Sequence, residues 1–150
     1  LNMRKELIGA ALLAASTAVA AENGTISLPS NHSVDVTIDR LESVLKEKGM
    51  TVFSRIDHAA GAAKVDKTIR PTQLLIFGNP KVGTPLMQCA QTVALDLPQK
   101  ALAWEDQSGK VWLTYNDPAY LKTRHNIAGC DGVLEKVSGA LNKFAQAATK

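Results

Sequence analysis

The stretch Leu102-Ala103-Trp104-Glu105-Asp106-Gln107-Ser108-Gly109-Lys110-Val111-Trp112-Leu113-Thr114-Tyr115 decides the fold class. Leu102 and Trp104 alternate with Ala103 and Glu105, the period of two that a strand requires. Asp106-Gln107-Ser108-Gly109 then carries the residues of a type I turn finished by a glycine in the left-handed region, which returns the chain antiparallel. On the return, Val111, Leu113 and Tyr115 alternate with Trp112 and Thr114. The stretch is a β-hairpin.

Working outward, Gln73 to Gly78 is a continuous apolar run of strand length, expected as a central, well-buried strand, and Pro71 before it restarts the chain in an extended form. Asn79-Pro80-Lys81-Val82-Gly83 reads as a turn-rich loop. Thr84-Pro85 reads as an N-cap followed by proline at the first position of a helix through Met87 and Gln91. Met50 to Asp57 predicts a strand, and His58 to Ala63 a short helical or irregular crossing that Gly61 weakens. Ser33 as N-cap, Asp35 in the first turn and Gly49 at the close bracket a helix whose stripe is Val34, Ile38, Leu41 and Leu45. Thr25 to Leu28 suits a short edge strand stopped by Pro29. Downstream, Asp117-Pro118 opens a short helix to His125. Asp131 caps a last helix with the stripe Val133, Val137, Leu141 and Phe144. These elements do not alternate regularly enough for a doubly wound parallel sheet. They predict an α+β fold, a mostly antiparallel sheet of about five strands with two long helices packed on one face.

The chain has 150 residues, enough for one core and too few for two. Hydrophobic residues at 45% and charged residues at 21% are ordinary globular usage, which excludes a disordered chain. The 17 basic and 14 acidic residues are mixed along the sequence, so no block exists to grip phosphate and nucleic acid is not an expected partner. At the amino terminus Arg4 and Lys5 precede an apolar run from Leu7 to Ala15, and Ala18-Val19-Ala20 fits the small-x-small pattern of a signal peptidase site. The expectation is a removable leader over 1–20 with Met3 as its start, a mature domain over 21–150, and a periplasmic or secreted location. A membrane anchor is the competing reading. Spanning takes about 20 mostly apolar residues, and Ser16, Thr17 and Glu22 interrupt this run, so no membrane partner is expected after cleavage.

Several short stretches, in order, resemble one family: Ile56-Asp57-His58-Ala59-Ala60, Arg70-Pro71-Thr72, Leu75 to Pro80, Gly83 to Met87, Leu97-Pro98, Trp104-Glu105-Asp106, and Tyr115 to Pro118. Together they are similar to the bacterial and archaeal domain of unknown function 302 family, from about Ser33 into the last helix. The resemblance implies a curved antiparallel sheet like that of the TATA-binding-protein group, with helices on one side, and a homodimer. It implies no reaction. Cys89, where a small apolar residue is usual, and the export signal both depart from the family pattern.

Few residues carry chemistry. Cys89 and Cys130, in an oxidising compartment, either pair as a disulfide worth about 3 to 4 kcal/mol or pack as free thiols. Without C-x-x-C spacing a catalytic dithiol is disfavoured. His32, His58 and His125 share no metal-ligand spacing, and no cofactor or metal is expected. His58 follows Asp57, whose carboxylate would orient its imidazole for acid/base work; the structural alternative is a cap on the next helix. Asn79 and Lys81, before a helix N-terminus, are candidates for holding an anion, against a plain strand-to-helix turn. Glu105 and Tyr115 lie on the hairpin, where an uncovered sheet face would bring Glu105 towards His58. Three functions follow in order: a non-catalytic, dimeric module binding a small molecule or anion near His58, Asn79, Lys81, Glu105 and Tyr115; an enzyme using His58 with a carboxylate; and a thiol redox or metal-handling protein using Cys89 and Cys130.

Overall fold

Alternation along the strands sorts the side chains onto two unlike faces, and that sorting builds the architecture. A computed structural model describes residues 17–150. In chain order its elements are β1 (Val19–Ala20), β2 (Thr25–Ser30), α1 (Val34–Glu47), β3 (Thr51–Asp57), α2 (His58–Ala63), β4 (Thr72–Gly78), α3 (Pro80–Cys89), a 3-10 turn over Gln91–Leu95, β5 (Gln99–Glu105), β6 (Val111–Asn116), α4 (Pro118–His125) and α5 (Asp131–Thr149). The strands form one sheet in the order β1-β2-β6-β5-β4-β3, every neighbouring pair antiparallel. The α+β class and the antiparallel sheet expected from the sequence are therefore observed. Residues 1–16, most of the expected leader, lie outside the described residues; Val19–Ala20, at its expected end, pairs with Ile26 and Ser27 on the sheet edge.

One face carries Leu28, Leu75, Phe77, Ala101, Ala103, Leu113 and Tyr115, all buried beneath α1 and α5. From α1, Ile38, Leu41 and Leu45 point into that core; from α5, Leu134, Val137, Leu141, Ala145 and Ala148 do. Each fully buried Leu or Ile contributes about 1.5 to 3 kcal/mol relative to exposure. The opposite face holds Leu74, Ile76, Leu102, Trp104 and Trp112, all only half-buried. There the two tryptophans stack with ring centroids 6.5 Å apart, and Trp104 Nε1 donates to Thr114 Oγ1 at 2.9 Å. The apolar run of β4 is thus buried on one side only, rather than on both.

Most caps stand where the sequence placed them. Ser33 accepts from the Val36 N–H, Asp117 from the Ala119 N–H, and Gly49 closes α1 at φ +74°. Four assignments change. Pro29 does not stop β2, which runs to Ser30, because β1 pairs only with Ile26 and Ser27 and leaves Pro29 bonded on its other side alone. Asp57, not His58, caps α2, accepting from the Ala60 N–H at 2.9 Å. The helix placed after Thr84 begins at Pro80 with Asn79 as cap, so Pro85 lies inside it; Asn79-Pro80 is the same N-cap and proline signal, one turn earlier. Cys130 occupies the N-cap of α5 and Asp131 its first turn, while Val133 and Phe144 sit at the margin of its buried stripe.

The hairpin turn is tied by Asp106, whose carboxylate accepts from Trp112 Nε1 at 2.9 Å, Ser108 Oγ at 2.7 Å and the backbone N–H groups of Ser108 and Lys110. Led by the Trp112 and Ser108 bonds, these donors hold it well below the usual carboxylate range. A carboxyl group whose folded pKa is depressed adds stability that is complete above its unfolded pKa, about 4, and is lost as pH falls through the folded value. Acid titration followed by thermal melting should therefore show Asp106→Asn less stable than the parent at pH 7, with the two converging below pH 4. A constant difference across that range would refute this account of the turn.

Candidate functional site

The helix side of the sheet is not filled everywhere. Where β4 ends at Gly78 and the chain enters α3, a cavity of about 440 Å³ opens between α3, α5, the 3-10 turn and the nearby strand ends. Residues three or four apart on a helix share a face, so Val82 and Leu86, with Met87 beside them, line it from α3, and Val137, Leu141 and Phe144 from α5. Phe53, exposed at the bulge of β3, and Leu97-Pro98 complete the apolar wall. Gly83 faces in as well, where an added Cβ would stand 3.7 Å from Leu97 Cδ1.

Three polar side chains line this cavity: Asn79, Gln99 and Lys136. Asn79 Oδ1 accepts from the Lys81 N–H at 3.0 Å, and its amide NH₂ has no partner among the described residues. Gln99 is only 9% exposed, and its side chain has no hydrogen-bond partner among the described residues. Lys136 is exposed, and makes no ion pair with a described residue.

Of the residues singled out from the sequence, only Asn79 lines the cavity. Lys81 is exposed in the first turn of α3, bonded through its backbone to the Asn79 cap. His58 is exposed at the start of α2, and no hydrogen bond joins it to Glu105. Glu105 stays by the hairpin: its N–H donates to the Pro71 carbonyl at 3.0 Å, and its own carbonyl accepts from Arg70 Nε at 3.1 Å. Tyr115 is buried under the helices. Desolvation pushes its hydroxyl pKa up and the Asp117 charge adds to this; Asn142 acts in the opposite direction without completing a hydrogen bond. The structure therefore does not gather these five residues into one site.

Other charged groups serve as clips. Arg55 of β3 reaches Asp39 at 2.6 Å and Glu42 at 3.5 Å on α1. Its desolvation opposes the charged form, but the Asp39 hydrogen bond and the charges of Asp39, Glu42 and Asp35 outweigh it and raise its pKa. Sequence reasoning passed over His125, which the fold makes the best-connected histidine. Its Nε2 lies 2.5 Å from Asp96 Oδ2 and its Nδ1 3.0 Å from Thr92 Oγ1, while Arg124 holds both Asp96 oxygens at 3.1 Å. With its side chain 6% exposed, this imidazole ties α4 to the 3-10 turn and offers little to a substrate. No group of three metal-ligating side chains occurs among the described residues.

Cys89, the last residue of α3, and Cys130, the cap of α5, stand at disulfide distance with Cα atoms 6.4 Å apart. The pair joins the ends of the two helices that wall the cavity.

Comparison with known proteins accounts for the fold and leaves the chemistry open. A family model described as Domain of unknown function DUF302 matches residues 26–144. The chain belongs to this family. The crystal structure of an uncharacterized conserved DUF302 protein from Bacillus stearothermophilus superposes with a TM-score of 0.67 at 20% identity, covering 84% of this chain and 95% of that one. Two curated relatives named Fluoride-specific ion channel FluC 1, from Brucella suis and Brucella abortus, are each 48% identical over 128 residues, or 83% of this chain. That match covers 50% and 47% of their own lengths, so the chain spans about half of the curated relatives it matches.

Replacing both cysteines with serine should lower unfolding stability by about 3 to 4 kcal/mol, the loop-closure value for a cross-link spanning 41 residues. Urea unfolding with and without reductant tests this: the parent should lose that amount on reduction and the double variant should not respond.

Proposed function

We propose that this DUF302 chain is an exported, non-catalytic binding module that takes one largely apolar small molecule in the cavity between α3 and α5 and acts as a homodimer. The observation that carries the reading is the cavity itself. At about 440 Å³ it falls within the roughly 300 to 1,000 Å³ of small-molecule sites, and like them it is mostly apolar with a few placed polar groups. The cysteine pair and the leader-like run before Ala21 support export. The uncovered sheet face, with Leu74, Ile76, Leu102 and the stacked tryptophans, supports a second copy as partner.

The neutral dye N-phenyl-1-naphthylamine should bind saturably with enhanced fluorescence. Ala140→Trp, which places an indole into the cavity from α5, should abolish binding while keeping the parent circular dichroism spectrum. His58→Ala should change nothing. Equal dye binding by the parent and Ala140→Trp would remove the cavity reading, and retention of activity only by chains with an intact His58 would favour an enzyme. In sedimentation, Leu102→Lys should convert a dimer to a monomer; a parent that is monomeric at all concentrations sinks the dimer.

A second reading comes from the curated relatives. A channel must cross a bilayer, yet no helix among the described residues is long and apolar enough to do so. This supports placing the helical spans of those relatives in the half that this chain does not match, with the shared half as an appended domain. Fluoride is a small, strongly hydrated anion, and a mostly apolar cavity does not repay its desolvation. The ¹⁹F resonance of fluoride should therefore neither shift nor broaden on adding the purified chain; a saturable shift would assign fluoride handling to this domain.

A further inference from the structure

We infer that the cavity is built for an apolar carboxylate, its hydrocarbon body between α3 and α5 and its head group on Gln99, Asn79 and Lys136. The inference rests on the reading of the cavity as a ligand site and goes further by naming the ligand's charge and shape. It starts from Gln99. Gln99, at 9% exposure overall, lines the cavity wall with no side-chain hydrogen bond to a described residue, and its carboxamide atoms stay accessible, open to a ligand polar atom within the cavity.

The sign of the head group follows from what the other polar groups have left to offer. Asn79 accepts the Lys81 N–H through its oxygen and has both NH₂ donors unengaged by any described residue. Lys136 offers only donors and a full positive charge. No aspartate or glutamate lines the cavity. The ten-residue helix α3 begins at Pro80 on the cavity rim and directs its positive end there. A donor-rich, acid-free polar set on the wall of an apolar chamber suits an anion that brings its own hydrocarbon, and it disfavours cations. The carboxylate form gains charge-assisted bonds that a neutral alcohol of the same length lacks.

Competition against N-phenyl-1-naphthylamine at pH 8, with decanoate and decanol as competitors, separates the possibilities. Decanoate should bind about tenfold to hundredfold more tightly than decanol, the worth of one hydrogen bond to a charged group. Lys136→Gln together with Gln99→Leu, both compatible with their helix and strand, should erase that preference while leaving decanol affinity unchanged. Decanol binding as well as or better than decanoate would overturn the carboxylate assignment and leave the cavity as a site for neutral molecules. A preference for decanoate that survives the double substitution would overturn the assigned head-group residues. If neither compound displaces the dye, and Ala140→Trp binds it as the parent does, the cavity reading itself falls.

Discussion

The fold depends on one packing constraint: two long helices must lie across a sheet whose helix-facing residues are small in the middle and large around it. Ala101 and Ala103 on β5 occupy the middle, with Leu75 and Phe77 on one neighbouring strand and Leu113 and Tyr115 on the other. The small pair lets the helix stripes approach the sheet, and the flanking large residues fill the space beside them. Overpacking at such a position forces shifts of backbone and rotamers that typically cost about 1 to 3 kcal/mol. The same constraint sets where packing fails. Toward Gly78 and Gln99 the sheet runs out, α3 takes the place of a strand end, and the walls no longer meet.

The α5 stripe serves both regions. Val137 and Leu141 are buried members of the core and at the same time line the cavity, so the half-open chamber reaches from the surface into the core. Its shape is consequently tied to the spacing of α3 and α5. The ends of those helices meet at Cys130 and Cys89, the latter a position where this chain departs from what the family resemblance led us to expect. A cross-link there restrains the walls where the sheet gives them no support, and its entropic effect acts on the unfolded chain as well.

Much of this was legible in the sequence, for reasons that can be named. The hairpin around Asp106 and Gly109, the α1 caps at Ser33 and Gly49, and the Asp117-Pro118 start of α4 are local signals, read from residues a few positions apart. The start of α3 was misplaced because Asn79-Pro80 and Thr84-Pro85 are equivalent local signals, and only tertiary packing selects between them. The site was the least legible part. Asn79, Gln99 and Lys136 are far apart in the chain, only Asn79 stood in a loop with a chemical reading, and Gln99 and Lys136 enter the site only through the packing of β5 and α5 against α3. His58, conspicuous beside Asp57 in the sequence, is left at the surface because Asp57 spends its carboxylate on the α2 backbone.

The relation between fold and site bears on how far likeness within the family can be carried. At 20% identity the Bacillus stearothermophilus protein preserves the arrangement of strands and helices, as expected when only alternation and stripe spacing must be kept. A cavity specified by one unpaired amide, one cap with a spare NH₂ and one lysine is a much narrower requirement, because any single substitution changes the polarity of the chamber without disturbing the sheet. Relatives sharing the fold are therefore free to differ in ligand. The curated relatives, at 48% identity over 128 residues, are close enough for the positions of Asn79, Gln99 and Lys136 to be compared one by one.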